Sequence, residues 1–258
     1  MSDLKATYVE YSRRKLFNKE DRPVAILGLE YRMARSWKCI SLYGVMHNYG
    51  NSPSDISDAT AQGTLAWKRN GRALQAIPFT QTRQLVPSWS WMGYLGQIDY
   101  ICLPAHFAVD KLAVGSGKSQ QGKRLLLNGH LHRVDPVSFE QLEGTNWQLV
   151  SYKNDPIGYT CVDNSTSDSA GSRPLQAVVI GWGSGILDAN KLPRHSDPFD
   201  PDRTCMEYVV MLVKEGEATG ALDGSATQPA SFRRSGVGIF DKAMMDTLSS
   251  DGGEVSVF

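Results

Sequence analysis

The chain has no excess of either charge: 27 Lys and Arg are matched by 27 Asp and Glu over 258 residues. A protein that grips a polyanion needs surplus positive charge, so no nucleic acid is expected as a partner, and net charge gives no pull toward an anionic membrane. No apolar run reaches the length of a membrane span, so none is expected. Residues 1–5 are polar, unlike a secretory leader. Cysteine is scarce, with Cys39, Cys102, Cys161 and Cys205 far apart and no Cys-x-x-Cys. Together these features predict reduced thiols, no disulfide and a cytoplasmic location.

The sequence is equally poor in signatures of cofactor or covalent chemistry. There is no Gly-x-Ser-x-Gly elbow. The run Gly181-Trp182-Gly183-Ser184-Gly185 follows a strand-like stretch, but Pro193 cuts short the helix that a phosphate cradle requires, so a bulge or turn is expected. His130 and His132 stand two apart and would share one strand face, yet local spacing places no third ligand beside them. No cofactor and no metal are therefore expected.

What is present reads mainly as β structure. Apolar alternation recurs between turn formers over residues 97–103, 106–114, 124–134, 147–153, 175–182, 207–214, 235–240 and 254–258. That spacing predicts an antiparallel β-barrel or sandwich. Residues 6–37 read as helical, with Pro23 suited to the first turn of a second helix. Arg13-Arg14-Lys15 would be the exposed face of the first helix. Stretches 115–122, 164–173, 194–203 and 216–229 read as surface loops. The expectation is one β-rich domain spanning 1–258, with a helical cap over 1–75 and an antiparallel β body over 86–258.

The rarest motif is Pro87-Ser88-Trp89-Ser90-Trp91. In an extended segment Trp89 and Trp91 would point to one face and Ser88 and Ser90 to the other, making a broad indole wall. Such a wall lines a pocket or fills a core. Trp67 is a further wall candidate, and Arg83 and Tyr94 are the candidate hydrogen-bond donors to a carbonyl or carboxylate.

These residues also sit in an ordered set of segments. Tyr11-Ser12-Arg13-Arg14-Lys15-Leu16 precedes Asp21-Arg22-Pro23-Val24-Ala25-Ile26-Leu27-Gly28. Leu65-Ala66-Trp67, Arg83 and the Pro-Ser-Trp-Ser-Trp run follow, and Tyr208 to Glu215 and Phe232-Arg233-Arg234-Ser235-Gly236-Val237-Gly238-Ile239-Phe240 close the set. In this order they resemble the region downstream of the HET domain in fungal heterokaryon-incompatibility proteins, over nearly the whole chain from about Tyr8. Tyr43-Gly44-Val45-Met46 departs from the pattern, because such proteins usually carry a Trp there. The opening motifs of the HET module have no counterpart in this sequence, so activities ascribed to that module do not carry over.

The resemblance implies a free-standing protein of fungal natural-product biosynthesis: a cofactor-independent cyclase acting on a small apolar polyene, most simply by an intramolecular [4+2] cycloaddition as in a Diels–Alderase. That chemistry needs a substrate held in one reactive conformer and a donor or two at a carbonyl. With no acid or base in evidence, a flat pH profile is expected between about 6 and 8. The alternative is a non-catalytic interaction or regulatory module of an incompatibility protein.

Overall fold

The computed structural model describes residues 2–48, 63–80, 86–104, 107, 112–113, 125–135, 137–163, 175–193, 206–215, 231–248 and 250–257. Arg83, and the expected loops over 115–122, 164–173, 194–203 and 216–229, lie outside the described residues.

Among the described residues, the N-terminal part is a cap built on two long helices and three small antiparallel pairs. Helices α1 (Ser2–Ser12) and α2 (Arg22–Trp37) are joined through a 3-10 turn, Lys19–Asp21, in which the Asn18 side chain accepts from the Glu20 N–H. Pro23 stands in the first turn of α2, where its missing N–H leaves no helical bond unmade. Lys38, at a φ of 53°, ends α2 in a left-handed cap. Arg22, Ile26, Glu30 and Ala34 recur every four residues and form the buried stripe of α2. Strands β1 (Cys39–Leu42) and β2 (Val45–Asn48) follow as a hairpin. Its two-residue turn places Tyr43 and Gly44 at φ 48° and 87°, the primed geometry that matches strand twist. Then β3 (Trp67–Arg69) pairs with β6 (Ile98–Tyr100), and β4 (Gln75–Ala76) with β5 (Tyr94–Leu95).

The body is one curled sheet. It contains β7 (Leu112–Ala113), β8 (Leu125–Val134), β9 (Val137–Gln141), β10 (Gln148–Tyr152), β11 (Asp155–Val162), β12 (Leu175–Ser184), β13 (Met206–Glu215), β14 (Ser231–Asp241) and β15 (Ser250–Val257). Strand order is β13-β12-β8-β15-β14-β11-β10-β9, and β13 also pairs with β14, so the curl returns on itself. All pairings are antiparallel except a two-residue contact between β14 and β15. Short helices α3 (Ile186–Ala189) and α4 (Lys242–Asp246) follow β12 and β14.

Both faces of the central strands are covered. Val209, Met211 and Val213 of β13 join Val237 and Ile239 of β14 in a cluster that includes Leu65, Ala66 and Trp89 from the cap. The alternate residues Val210, Leu212 and Phe240 pack with Met245 of α4 on the other face. This double burial explains why residues 209–213 are uninterrupted hydrophobes rather than an alternating pattern. Among the described residues, no helix is long and apolar enough to cross a membrane.

The expectation of a mainly antiparallel β fold with an N-terminal helical segment holds, and four details differ. Residues 86–101 belong to the cap, because β5 and β6 pair with β4 and β3, not with the main sheet. Strand β11 was not anticipated because Pro156 and Gly158 argue against a central strand. The sheet accommodates them at a register shift, where Pro156 faces Ser151 and Gly158 faces Val150. Strand β9 is not among the expected strands: its alternation, Val137-Ser138-Phe139-Glu140, is short, and it lies at the exposed edge of the sheet. Finally, α1 stops at Ser12, so Arg13, Arg14 and Lys15 lie in the connection after the helix.

One packing prediction arises here. A Cβ on Gly236 would lie 2.6 Å from the Cys161 carbonyl oxygen and 2.9 Å from the Val162 Cα, both backbone atoms of the neighbouring strand. Gly236→Ala should therefore lower stability by about 1–3 kcal/mol, the scale of overpacking, as a reduced urea midpoint at unchanged m-value. An unchanged midpoint would show that β11 moves aside freely.

Candidate functional site

Segments far apart in the sequence converge in space. Arg234 on β14 is buried and holds Asp163, which follows β11, through an Nε–Oδ2 bond of 3.1 Å. Its Nη1 donates to the Leu65 carbonyl at 2.8 Å and its Nη2 to the Trp67 carbonyl. The guanidinium lies 3.5 Å from the centre of the Trp67 ring, a stacked cation–π contact. The Arg234 backbone N–H donates to the Ser88 hydroxyl, and Trp67 Nε1 donates to the Trp89 carbonyl at 2.9 Å. One arginine thus ties Leu65-Ala66-Trp67 and Pro-Ser-Trp-Ser-Trp to the β body. Burial pushes the Asp163 carboxyl up while Arg234 pulls it down, and among the described residues Asp163 Oδ1 has no hydrogen-bond partner.

The Trp motif is not extended. Residues 87–90 form a turn, and Trp91–Gly93 is a 3-10 helix capped by the Ser90 hydroxyl, which accepts from the Met92 N–H. The expected common face of Trp89 and Trp91 is therefore absent, because the turn rotates the two side chains apart. Trp89 enters the cluster on the sheet, while Trp91 enters the cap among Tyr8, Ile26, Met46, Tyr94 and Tyr100. Trp67 is in this second cluster, with its ring 5.8 Å from that of Tyr94. All three Trp are at most 1% exposed. The Tyr94 hydroxyl donates to the Ser88 carbonyl at 3.2 Å, and burial pushes its pKa up to about 12. Its carbonyl accepts from Arg22, whose guanidinium also bonds the Ser12 carbonyl and lies 5.6 Å from the Trp91 ring centre.

The cap cluster contains a polar centre that the sequence reading missed. Glu30 on α2 is fully buried. It accepts from the Tyr8 hydroxyl at 2.5 Å and from the Ser41 hydroxyl at 3.0 Å. Burial pushes its carboxyl up to about 7, with the bonds from Tyr8, Ser41 and the Gly44 backbone opposing the shift. The same burial raises the Tyr8 phenol, and the nearby Glu30 charge adds to it. Among the described residues, two donors there have no partner: Trp91 Nε1 and the Tyr100 hydroxyl. The Trp91 and Tyr8 rings are 5.2 Å apart. The indole N–H abuts the β1–β2 turn, since a Cβ on Gly44 would fall 2.8 Å from Trp91 Nε1. Gly44 is thus required both by its φ and by this approach.

The cap therefore brings together a carboxyl that can hold its proton near neutrality, an indole N–H and a phenol O–H, enclosed by aromatic rings. Buried polar groups rarely lack partners, and their clustering marks a candidate site. Such a set can donate hydrogen bonds to a carbonyl and can exchange one proton. Among the described residues, no three His, Cys, Asp or Glu side chains gather as metal ligands. The His130 side chain lies outside the described residues, and Cys39, Cys102 and Cys161 are free thiols. No protein-family profile, curated protein or solved structure matches this chain.

Two of the missed residues had a readable signal. Glu30 lies four residues from both Ile26 and Ala34, in register with the buried stripe. Tyr100 alternates with Ile98 on β6, and both are buried. Asp163 had no such signal, since its role depends on a contact 71 residues away in sequence.

Proposed function

We propose that this protein is a cofactor-independent cyclase that closes an apolar polyene by intramolecular [4+2] cycloaddition, with the cap cluster as its polar end. The observation that carries this reading is the pair of buried donors, Trp91 Nε1 and the Tyr100 hydroxyl, that have no partner among the described residues and sit in the same cluster as the Glu30 carboxyl. In a cycloaddition two C–C σ bonds form as the diene and alkene π electrons reorganise; no atom is gained or lost, and the product is an isomer of the substrate. The barrier falls when the chain is folded into a reactive conformer and when a donor strengthens its bond to the dienophile carbonyl as that carbonyl gains charge. The cluster supplies donors of this kind in a low-dielectric setting. Because these groups are buried, the substrate would displace cap side chains on entry. The resemblance to the region downstream of the HET domain supports the same reading, and Arg83 stays a candidate donor on sequence grounds.

A second reading, a non-catalytic module, is favoured by the saturated packing of Trp67, Trp89 and Trp91, which act as core residues in the described structure. The two are separated by incubating the purified, chelator-treated protein with linear terpenoid trienes bearing a conjugated aldehyde or ketone. The cyclase reading expects an isomeric product of unchanged mass and a single stereochemistry. Trp91→Phe should slow its formation by about 10²-fold, the scale of losing one oxyanion-type donor, with the rates compared at equal folded fraction. Product distributions identical with and without protein across such substrates would favour the non-catalytic module.

A further inference from the structure

We propose that the connection at residues 13–19 and the outward stripe of α2 dock on an anionic lipid surface. The balanced total charge hides a strong local asymmetry. Between residues 13 and 38 seven exposed cations, Arg13, Arg14, Lys15, Lys19, Arg32, Arg35 and Lys38, outnumber the two carboxylates of that stretch that are not buried, Glu20 and Asp21, and Arg13 alone among them also reaches back to Glu10, at 3.5 Å. Set among them is Phe17, fully exposed at 109%. On α2, Val24, Gly28, Tyr31 and Arg35 occupy the side opposite the stripe from Arg22 to Ala34, with Val24 and Tyr31 exposed at 58% and 60%.

Phe17 does not stand at a frayed end. The Arg13 and Arg14 N–H groups bond back to the Glu10 and Tyr11 carbonyls, and buried Arg22 holds the Ser12 carbonyl. Asn18 caps the next turn, and Glu20 accepts from the Thr80 hydroxyl at 3.0 Å. The chain thus holds a large apolar side chain in water between cations, at a continuing free-energy cost of hydration. A bilayer interface relieves both features at once: hydrocarbon receives Phe17 and Val24, while anionic headgroups receive the guanidinium and ammonium groups. Charge complementarity selects an anionic surface over a neutral one. A nucleic acid would satisfy the cations but offers no hydrocarbon to the apolar side chains.

The test is flotation of the full chain with vesicles of phosphatidylcholine alone and with roughly one phosphatidylserine in three lipids. Binding is expected to the mixed vesicles at low salt, to weaken as salt rises, and to be slight on the neutral ones. The triple variant Arg13→Gln, Arg14→Gln, Lys15→Gln should bind about 100-fold more weakly, from roughly fivefold per charge. Phe17→Ser should lose about tenfold through the lost apolar burial. All four positions are exposed and outside the cap cluster, and the readout is independent of any turnover. Absence of binding to the mixed vesicles, equal binding to both vesicle types, or wild-type binding by both variants would overturn the proposal. Concentration-dependent self-association relieved by Phe17→Ser would overturn it in favour of a second copy of the chain.

Discussion

Arg234→Met should lower the unfolding free energy by about 3–5 kcal/mol, the scale on which removing one member of a buried ion pair leaves the other uncompensated. The single substitution acts in three places. It strands the Asp163 carboxyl, which already has one oxygen without a partner among the described residues. It also leaves the Leu65 and Trp67 carbonyls without their donor and removes the cation stacked on the Trp67 ring. Since a domain of ordinary stability has about 5–15 kcal/mol in total, this loss is a large share, and it should appear as a reduced urea midpoint. Replacing both partners, Arg234→Met with Asp163→Leu, should recover a substantial part, because the stranded charge is gone. If the single variant lost less than about 1 kcal/mol, the arginine would not be the tie between cap and sheet.

The second large effect is a pH dependence set by Glu30. In the folded state its carboxyl titrates near 7, against an ordinary value of 4.5. Between those values the folded protein holds a proton that the unfolded chain releases. Stability from this group is therefore complete below about pH 4.5, falls as pH rises, and is lost once pH passes about 7. The span corresponds to roughly 3 kcal/mol at 1.36 kcal/mol per pKa unit. Comparing the wild type with Glu30→Gln isolates the contribution, because the other titrating groups are common to both. The wild type should lose stability relative to the variant across that window, and a difference independent of pH would contradict the burial argument. The same titration revises the expectation of a flat rate profile: if the cap cluster serves catalysis, activity should change near pH 7 and the change should vanish in Glu30→Gln.

How much could be read from the sequence depended on whether the information was local. The strands at 125–134, 175–184 and 206–215 were legible because their hydrophobes are bounded by turn formers. Pro23 announced α2, and Tyr43-Gly44 forms a turn that any hairpin reading would accept. Pro156 and Gly158 concealed β11, since only the register shift against β10 makes them tolerable in a strand. The site was less legible. Alternation would have put Trp89 and Trp91 together, but the hydrogen bonds of Ser90, to the Tyr43 carbonyl and from the Met92 N–H, wind the segment into a turn and send the two indoles to separate clusters. Glu30 was readable from its four-residue register with Ile26 and Ala34. The Arg234–Asp163 pair was not, because nothing local to either residue names the other.

On the proposed reading, the polar end of the site is the Glu30, Trp91 and Tyr100 cluster, not the Tyr94 side of the Trp67 wall. Paired single-turnover measurements on Tyr100→Phe and Tyr94→Phe, with the same conjugated trienal and at equal folded fraction, test it most directly. The account predicts that Tyr100→Phe slows cyclisation by about 10²-fold, through loss of an unpartnered donor. Tyr94→Phe, whose hydroxyl is already committed to the Ser88 carbonyl, should leave the rate unchanged. The opposite order, or two equal rates, would contradict it.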